Sequence, residues 1–154
     1  MEVVQFKLII SILFTAFLLI PSIQAKAVKY CDKKGNYDVK VKGVEISPYP
    51  VVSGNPATFS ISASTGQAIS GGKLVIDVSY FGVHIHSETH DLCAETSCPI
   101  SEGNFVLSHS QSLPGFTPPG SYTLTMKMKD ESGHQLTCII FDFRIGFGSS
   151  MADS

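Results

Sequence analysis

A chain of 154 residues with 11 basic and 13 acidic side chains carries a net charge of −2, which excludes the basic footprint that counterion-driven nucleic-acid binding needs. Domains commonly run to about 100–150 residues, so the length suits one domain around one core.

In chain order, Lys7 is followed by an uncharged apolar run from Leu8 to Ile20, and then by Pro21, Ser22, Ile23, Gln24 and Ala25. A membrane-crossing helix needs about 20 apolar residues, so this run is too short for a retained anchor. Its charged front, apolar middle and small-residue end have the form of a secretory signal peptide over residues 1–25, cleaved after Ala25 or, alternatively, after Ala27. Removing that segment takes away Glu2 and Lys7 and leaves the net charge at −2. The folded domain is expected over 26–146, with a flexible tail over 147–154. The expected location is the secretory pathway, ending in the extracellular space or a vacuolar or endolysosomal lumen.

Beyond this point no apolar period of 3.6 residues is sustained, and short alternating segments recur between turn residues. Val39 and Val41 alternate with Lys40 and Lys42, Gly43 marks a bulge, and Val44 and Ile46 resume the inward phase before Ser47, Pro48, Tyr49 and Pro50 end the strand. Phe59, Ile61 and Ala63 share one face, opposite Thr58, Ser60 and Ser62. Leu74, Ile76, Val78 and Tyr80 do the same from Lys73 onward. Gly82 is read as resetting the register so that Val83 and Ile85 continue inward while His84 and His86 face out. Phe105, Leu107 and Phe116 are assigned to loops flanked by Gly103 and Gly115, either as a cavity mouth or as a loop packed on the core. Tyr122, Leu124, Met126 and Met128 form the next inward series, and Asp130 to His134 make a hairpin turn. Ile139, Phe141, Phe143 and Ile145 complete the set, with Asp142 and Arg144 outside. Six or seven short strands with one apolar side predict an all-β, antiparallel sandwich or barrel.

The four cysteines, Cys31, Cys93, Cys98 and Cys138, all follow the signal segment. An even count in an oxidising compartment predicts two disulfides. Three pairings are formally open. The short spacing of Cys93 and Cys98 suits a bridged local loop, which leaves Cys31 for Cys138. A zinc site of thiolates would require C-x₂-C pairs, and none exists.

Chemistry is harder to find. His84, His86 and His90 contain the three imidazoles of a hydrolytic zinc site, but the alternation sends His84 and His86 to solvent and the cysteine loop restrains His90. No metal site is therefore expected. No Gly-x-Ser-x-Gly elbow is present, bonded cysteines supply no thiolate, and nothing distinguishes Glu88 and Asp91 from ordinary solvated charge. The chain is expected not to be an enzyme and to need no cofactor.

Several segments resemble a known family. Pro118, Pro119, Gly120 and Tyr122 open a strand, a polar turn follows at Asp130 to His134, and Leu136 precedes Cys138 by two residues. Upstream, Tyr30-Cys31-Asp32, Ile46-Ser47-Pro48, the strand from Gly54 through Phe59 and the loop from Cys93 to Cys98-Pro99 stand in the same order. This pattern resembles the ML lipid-recognition domain, the family of plant phosphatidylglycerol/phosphatidylinositol transfer-like proteins and of the lumenal Niemann–Pick type C sterol carrier. The resemblance covers nearly all of the chain after the signal segment. That sterol carrier has an additional small N-terminal bridge that this chain lacks.

The resemblance implies an immunoglobulin-like sandwich whose sheets part to hold a lipid, with the first cysteine paired to the last and the middle loop closed. It assigns the lining to Phe59, Ile61, Ile76, Val78, Tyr80, Tyr122, Leu124, Met126, Phe141 and Phe143. Alternation alone accounts for these residues equally well as an ordinary closed core. The implied function is non-enzymatic binding and transfer of a sterol or phospholipid, including intracellular sterol transport. The alternative is a secreted lipid-sensing protein that presents its ligand to a receptor in defence or stress signalling. A lipid ligand, transient contact with a membrane or membrane protein, no nucleic acid and a monomeric state are the expected partner set.

Overall fold

A computed structural model describes residues 23–146. The expected signal segment through Ser22 and the tail from Phe147 lie outside the described residues.

Seven strands of nine residues or more carry the fold: β3 (Val39–Ser47), β5 (Pro56–Thr65), β6 (Gly72–Tyr80), β7 (Val83–Asp91), β8 (Gly103–Ser112), β9 (Gly120–Asp130) and β10 (Gln135–Gly146). Three strands of two or three residues flank them: β1 (Gln24–Lys26), β2 (Lys29–Tyr30) and β4 (Val51–Val52). A single helical turn, α1 (Leu92–Glu95), follows β7. One sheet has the order β1-β3-β5-β8 and the other β2-β10-β9-β6-β7, with β4 pairing parallel to β10. The remaining pairs are antiparallel, and the two sheets face each other as a sandwich.

Period-2 patterning explains why these segments pair as they do. Residues opposite one another on paired strands point to the same face. Tyr122 lies opposite Phe143 on one side and Tyr80 on the other, Leu124 opposite Phe141 and Val78, and Met126 opposite Ile139 and Ile76. The result is a continuous apolar inner wall. From the other sheet Phe59 meets it, with its ring 5.5 Å from that of Phe143 and 6.1 Å from that of Phe141. Each such side chain, fully buried, stabilises the fold by roughly 1.5–3 kcal/mol. The expected bulge occurs between Val41 and Gly43. The β9–β10 turn closes on Asp130, whose carboxylate accepts from the amides of Ser132 (3.0 Å) and His134 (2.9 Å). The disulfides pair Cys31 with Cys138 and Cys93 with Cys98.

Two segments depart from the sequence expectation. Phe105 and Leu107 lie on β8, a full strand paired with β5, and not in a loop; Leu107 is fully buried and Phe105 half-buried. The inward series of β8 ends in His109 and Gln111, so its alternation carries too few apolar residues to read as a strand. Phe116 does sit in the loop beyond it.

The second correction concerns β7. Phe81 and Gly82 form a two-residue hairpin turn, both with positive φ (51° and 80°), so the chain reverses there. Val83 and Ile85 are exposed, against the expected inward phase. The register slips between Val78↔His86 and Ser79↔His84, leaving Ile85 as the extra residue of a bulge. His86 is thereby opposite Val78, Glu88 opposite Ile76 and His90 opposite Leu74, so all three polar residues share the inner face. His84 stays outside, bonded to Ser87 at 2.7 Å.

Candidate functional site

The sheets do not mesh along their whole length. At the end of the sandwich near Tyr122 and Phe143 they leave a cavity of about 450 Å³. Its floor is apolar: Ala57 and Phe59 from β5, Ile76 and Val78 from β6, Leu124 and Tyr122 from β9, Phe143 and Ile145 from β10. The loop after β8 supplies Leu113, Pro114, Phe116, Thr117 and Pro118 at the mouth. The open side, between edge strands β7 and β8, is polar apart from Ile85, which borders the cavity although half of it is exposed, with His86 and Glu88 facing His109, Gln111 and Ser112. No Lys or Arg is among the lining residues.

Of the ten residues assigned to a lipid lining, Phe59, Ile76, Val78, Tyr122, Leu124 and Phe143 line this cavity. Ile61, Met126 and Phe141 are buried outside it, in the meshed part of the core. Tyr80 is half-buried, stacks 4.6 Å from Tyr122 and donates its hydroxyl to the Pro119 carbonyl at 3.0 Å. That bond ties the β6–β7 hairpin to the mouth loop. Tyr122 likewise donates to the Pro118 carbonyl. Sequence reasoning singled out His86, His90 and Glu88 but took them for solvent-side groups, and it missed His109 and Gln111. The one available signal was the spacing Phe105, Leu107, His109, Gln111, which is strand-like once polar inward residues are admitted.

The electrostatics of the polar side are specific. Burial pushes the Glu88 carboxyl up, but hydrogen bonds with His86 (2.9 Å) and His90 (3.0 Å) outweigh it and hold the group below its ordinary value of 4.5. Burial, and secondarily the neighbouring Tyr80, raise the Tyr122 hydroxyl above 10.0. His109 is only 3% exposed and sits 3.0 Å from Glu95 on α1. Around the mouth, apolar side chains point to solvent: Phe116 is 86% exposed and Phe81, at the hairpin tip, 77%.

The cavity lining groups no nucleophile, activating base and oxyanion site, and its apolar floor with a few polar groups on one side has the make-up of a small-molecule binding hollow. Known proteins agree. A family model described as the ML domain matches residues 25–145. An MD-2-related lipid-recognition protein of Arabidopsis thaliana is 31% identical over 154 residues, 94% of this chain and 89% of that protein. A phosphatidylglycerol/phosphatidylinositol transfer protein of Aspergillus oryzae is 29% identical over 128 residues, 75% of this chain and 73% of that protein. Among solved structures, a Niemann-Pick type C2 protein from the Japanese carpenter ant shares the fold at a TM-score of 0.62 and 13% identity, covering 78% of this chain and 99% of that one. The chain belongs to the ML-domain family of lipid-binding and lipid-transfer proteins, which are not enzymes.

Proposed function

We propose that this chain is a lipid carrier that draws the apolar part of a sterol or phospholipid into the inter-sheet cavity and releases it at a membrane. The observation that carries the reading is the hollow itself: at about 450 Å³ it has three times the volume of the roughly 150 Å³ engineered cavities that stay dry and take up benzene. Each methylene transferred from water contributes ~0.8 kcal/mol, so a chain of about 14 carbons offers ~11 kcal/mol before ordering costs. No covalent chemistry is needed to retain such a ligand.

The lining favours one ligand class. A phosphate drawn inside would meet Glu88 and no Lys or Arg, and an unpaired buried charge is costly. A neutral hydroxyl could hydrogen-bond to His86, Gln111 or Ser112 instead. A sterol or another uncharged amphiphile therefore fits best, and a phospholipid would enter by its acyl chains with its head left at the mouth.

Delivery requires contact with a bilayer, and the mouth is equipped for it. Phe81 occupies the left-handed region (φ 51°), which costs a non-glycine residue roughly 1–2 kcal/mol. The turn thereby presents an aromatic ring that is 77% exposed, and with Phe116 of the mouth loop it would enter the lipid interface. Two disulfides suit an oxidising compartment, consistent with a lumenal or extracellular site of action.

Organic extraction of protein purified from its native secretory route, followed by mass spectrometry, tests retention. Movement of labelled sterol and labelled phospholipid between vesicles tests transfer. A bound lipid with measurable transfer supports the carrier; a bound lipid that never moves between vesicles supports the receptor-presenting alternative. A protein that neither retains nor moves lipid overturns both.

A further inference from the structure

We propose that Glu88, His90, Glu95 and His109 hold one zinc ion across the open side of the sandwich, joining edge strands β7 and β8 through α1. One ligand atom each from Glu88, His90 and His109 lies within 4.8 Å of the others. Glu95 is placed as the fourth donor by its contact with His109, whose Nδ1 is 3.0 Å from its Oε1. Neighbouring donors around a tetrahedral zinc with bonds of about 2.0–2.1 Å stand roughly 3.3 Å apart, so donors up to 4.8 Å apart close by as much as about 1.5 Å, a movement that rotation of the partly exposed Glu88 and His90 side chains supplies.

The surroundings of His109 indicate which ring nitrogen would face the ion. A neutral imidazole has one N–H. His109 presents both ring nitrogens to oxygens, Nδ1 to Glu95 and Nε2 to Gln111 Oε1 at 3.1 Å. Gln111 uses its amide N–H on the Ser112 carbonyl (3.3 Å), so its oxygen is the atom turned to His109. With His109 donating from Nε2 to Gln111, its Nδ1 is the nitrogen turned to Glu95 and the one it would offer an ion. His90 has Glu88 3.0 Å from Nε2, the nitrogen it would offer the ion. Metal-bound histidines usually donate their second ring N–H to an acceptor that fixes the tautomer, and Gln111 stands in that place. Two imidazoles and two carboxylates suit zinc, and the carboxylates cancel its charge.

The grouping differs from the His84, His86 and His90 trio that the sequence displays. His84 faces away, and the buried ligand, His109, lies on the strand that the alternation did not reveal. Glu88 and His109 also line the cavity, so the ion would clamp its open side.

Tag-free protein dialysed against a chelator and titrated calorimetrically with zinc chloride tests the proposal. One ion per chain is expected, with a melting midpoint raised by roughly 10 °C at a hundredfold excess over Kd. Cobalt chloride should give the visible absorption of a four-coordinate site. E88Q and H90A, at partly exposed positions, should weaken zinc binding at least tenfold while retaining the fold by circular dichroism. Q111L should weaken it 10- to 100-fold through the lost second hydrogen bond. H84A and H134A, outside the cluster, should leave it unchanged. Absence of stoichiometric zinc binding, or binding that survives both E88Q and H90A, overturns the site. Lipid retention is measured on the same metal-free protein, so failure here leaves the carrier reading untouched.

Discussion

Replacing Val78 by Phe separates a real hollow from a closed core. Val78 is half-buried on β6, lines the cavity, and lies between Leu124 on β9 and His86 on β7. Phe keeps the β preference of the position and projects about four more carbons into the space that a ligand would use. A ligand displaced by four methylene equivalents loses ~3 kcal/mol, on the order of 10²-fold in Kd. The free protein should tolerate the ring: with about 450 Å³ available, its stability should stay within ~1 kcal/mol of the parent or rise. Titration with a fluorescent sterol reads the first quantity and denaturant unfolding the second. The chain has no tryptophan, so the probe's emission is free of indole background. Two results would refute the reasoning. Unchanged sterol affinity would mean that ligand does not occupy this space, and a stability loss of ~1–3 kcal/mol would mean that the sheets are meshed there and the ring overpacks them.

The hairpin tip should trade stability for delivery: Phe81→Asn relieves the left-handed backbone strain and is expected to raise stability by about 1 kcal/mol while slowing transfer between vesicles and leaving sterol affinity intact. Serine substitution of both Cys31 and Cys138, whose bridge spans 107 residues, should cost ~4–5 kcal/mol by loop-closure entropy, whereas opening the five-residue Cys93–Cys98 bridge should cost about 2 kcal/mol; thermal and denaturant melts compare the two. Tyr122 should ionise above the ordinary tyrosine value in an alkaline difference-absorbance titration, because burial holds its hydroxyl above 10.0. Since that value is raised on folding, the associated stability is fully present below the unfolded value near 10 and is lost as pH climbs through the folded one. Tyr122→Phe should abolish this late titration.

Much of the sandwich is legible in the chain because burial on one face of a strand imposes a period of two. Phe59 with Ile61, Leu74 with Ile76, Tyr122 through Met128 and Ile139 through Ile145 all take the faces that their spacing predicts. The bulge at Gly43 and the division of four cysteines into a near pair and a far pair are readable for the same kind of reason, since each is set by residues close together or by simple exclusion. Residues 105–111 and 83–90 were misread because His109, Gln111, His86, Glu88 and His90 turn inward. A rule equating inward with apolar fails wherever an edge strand borders an open side. Only the tertiary structure decides how far apart the two sheets stand. Ile61, Met126 and Phe141 mesh into core, while Phe59, Leu124 and Phe143, equally apolar and only two residues away from them on β5, β9 and β10, border a hollow. The separation of two layers is a property of both together, and no local pattern in either strand encodes it.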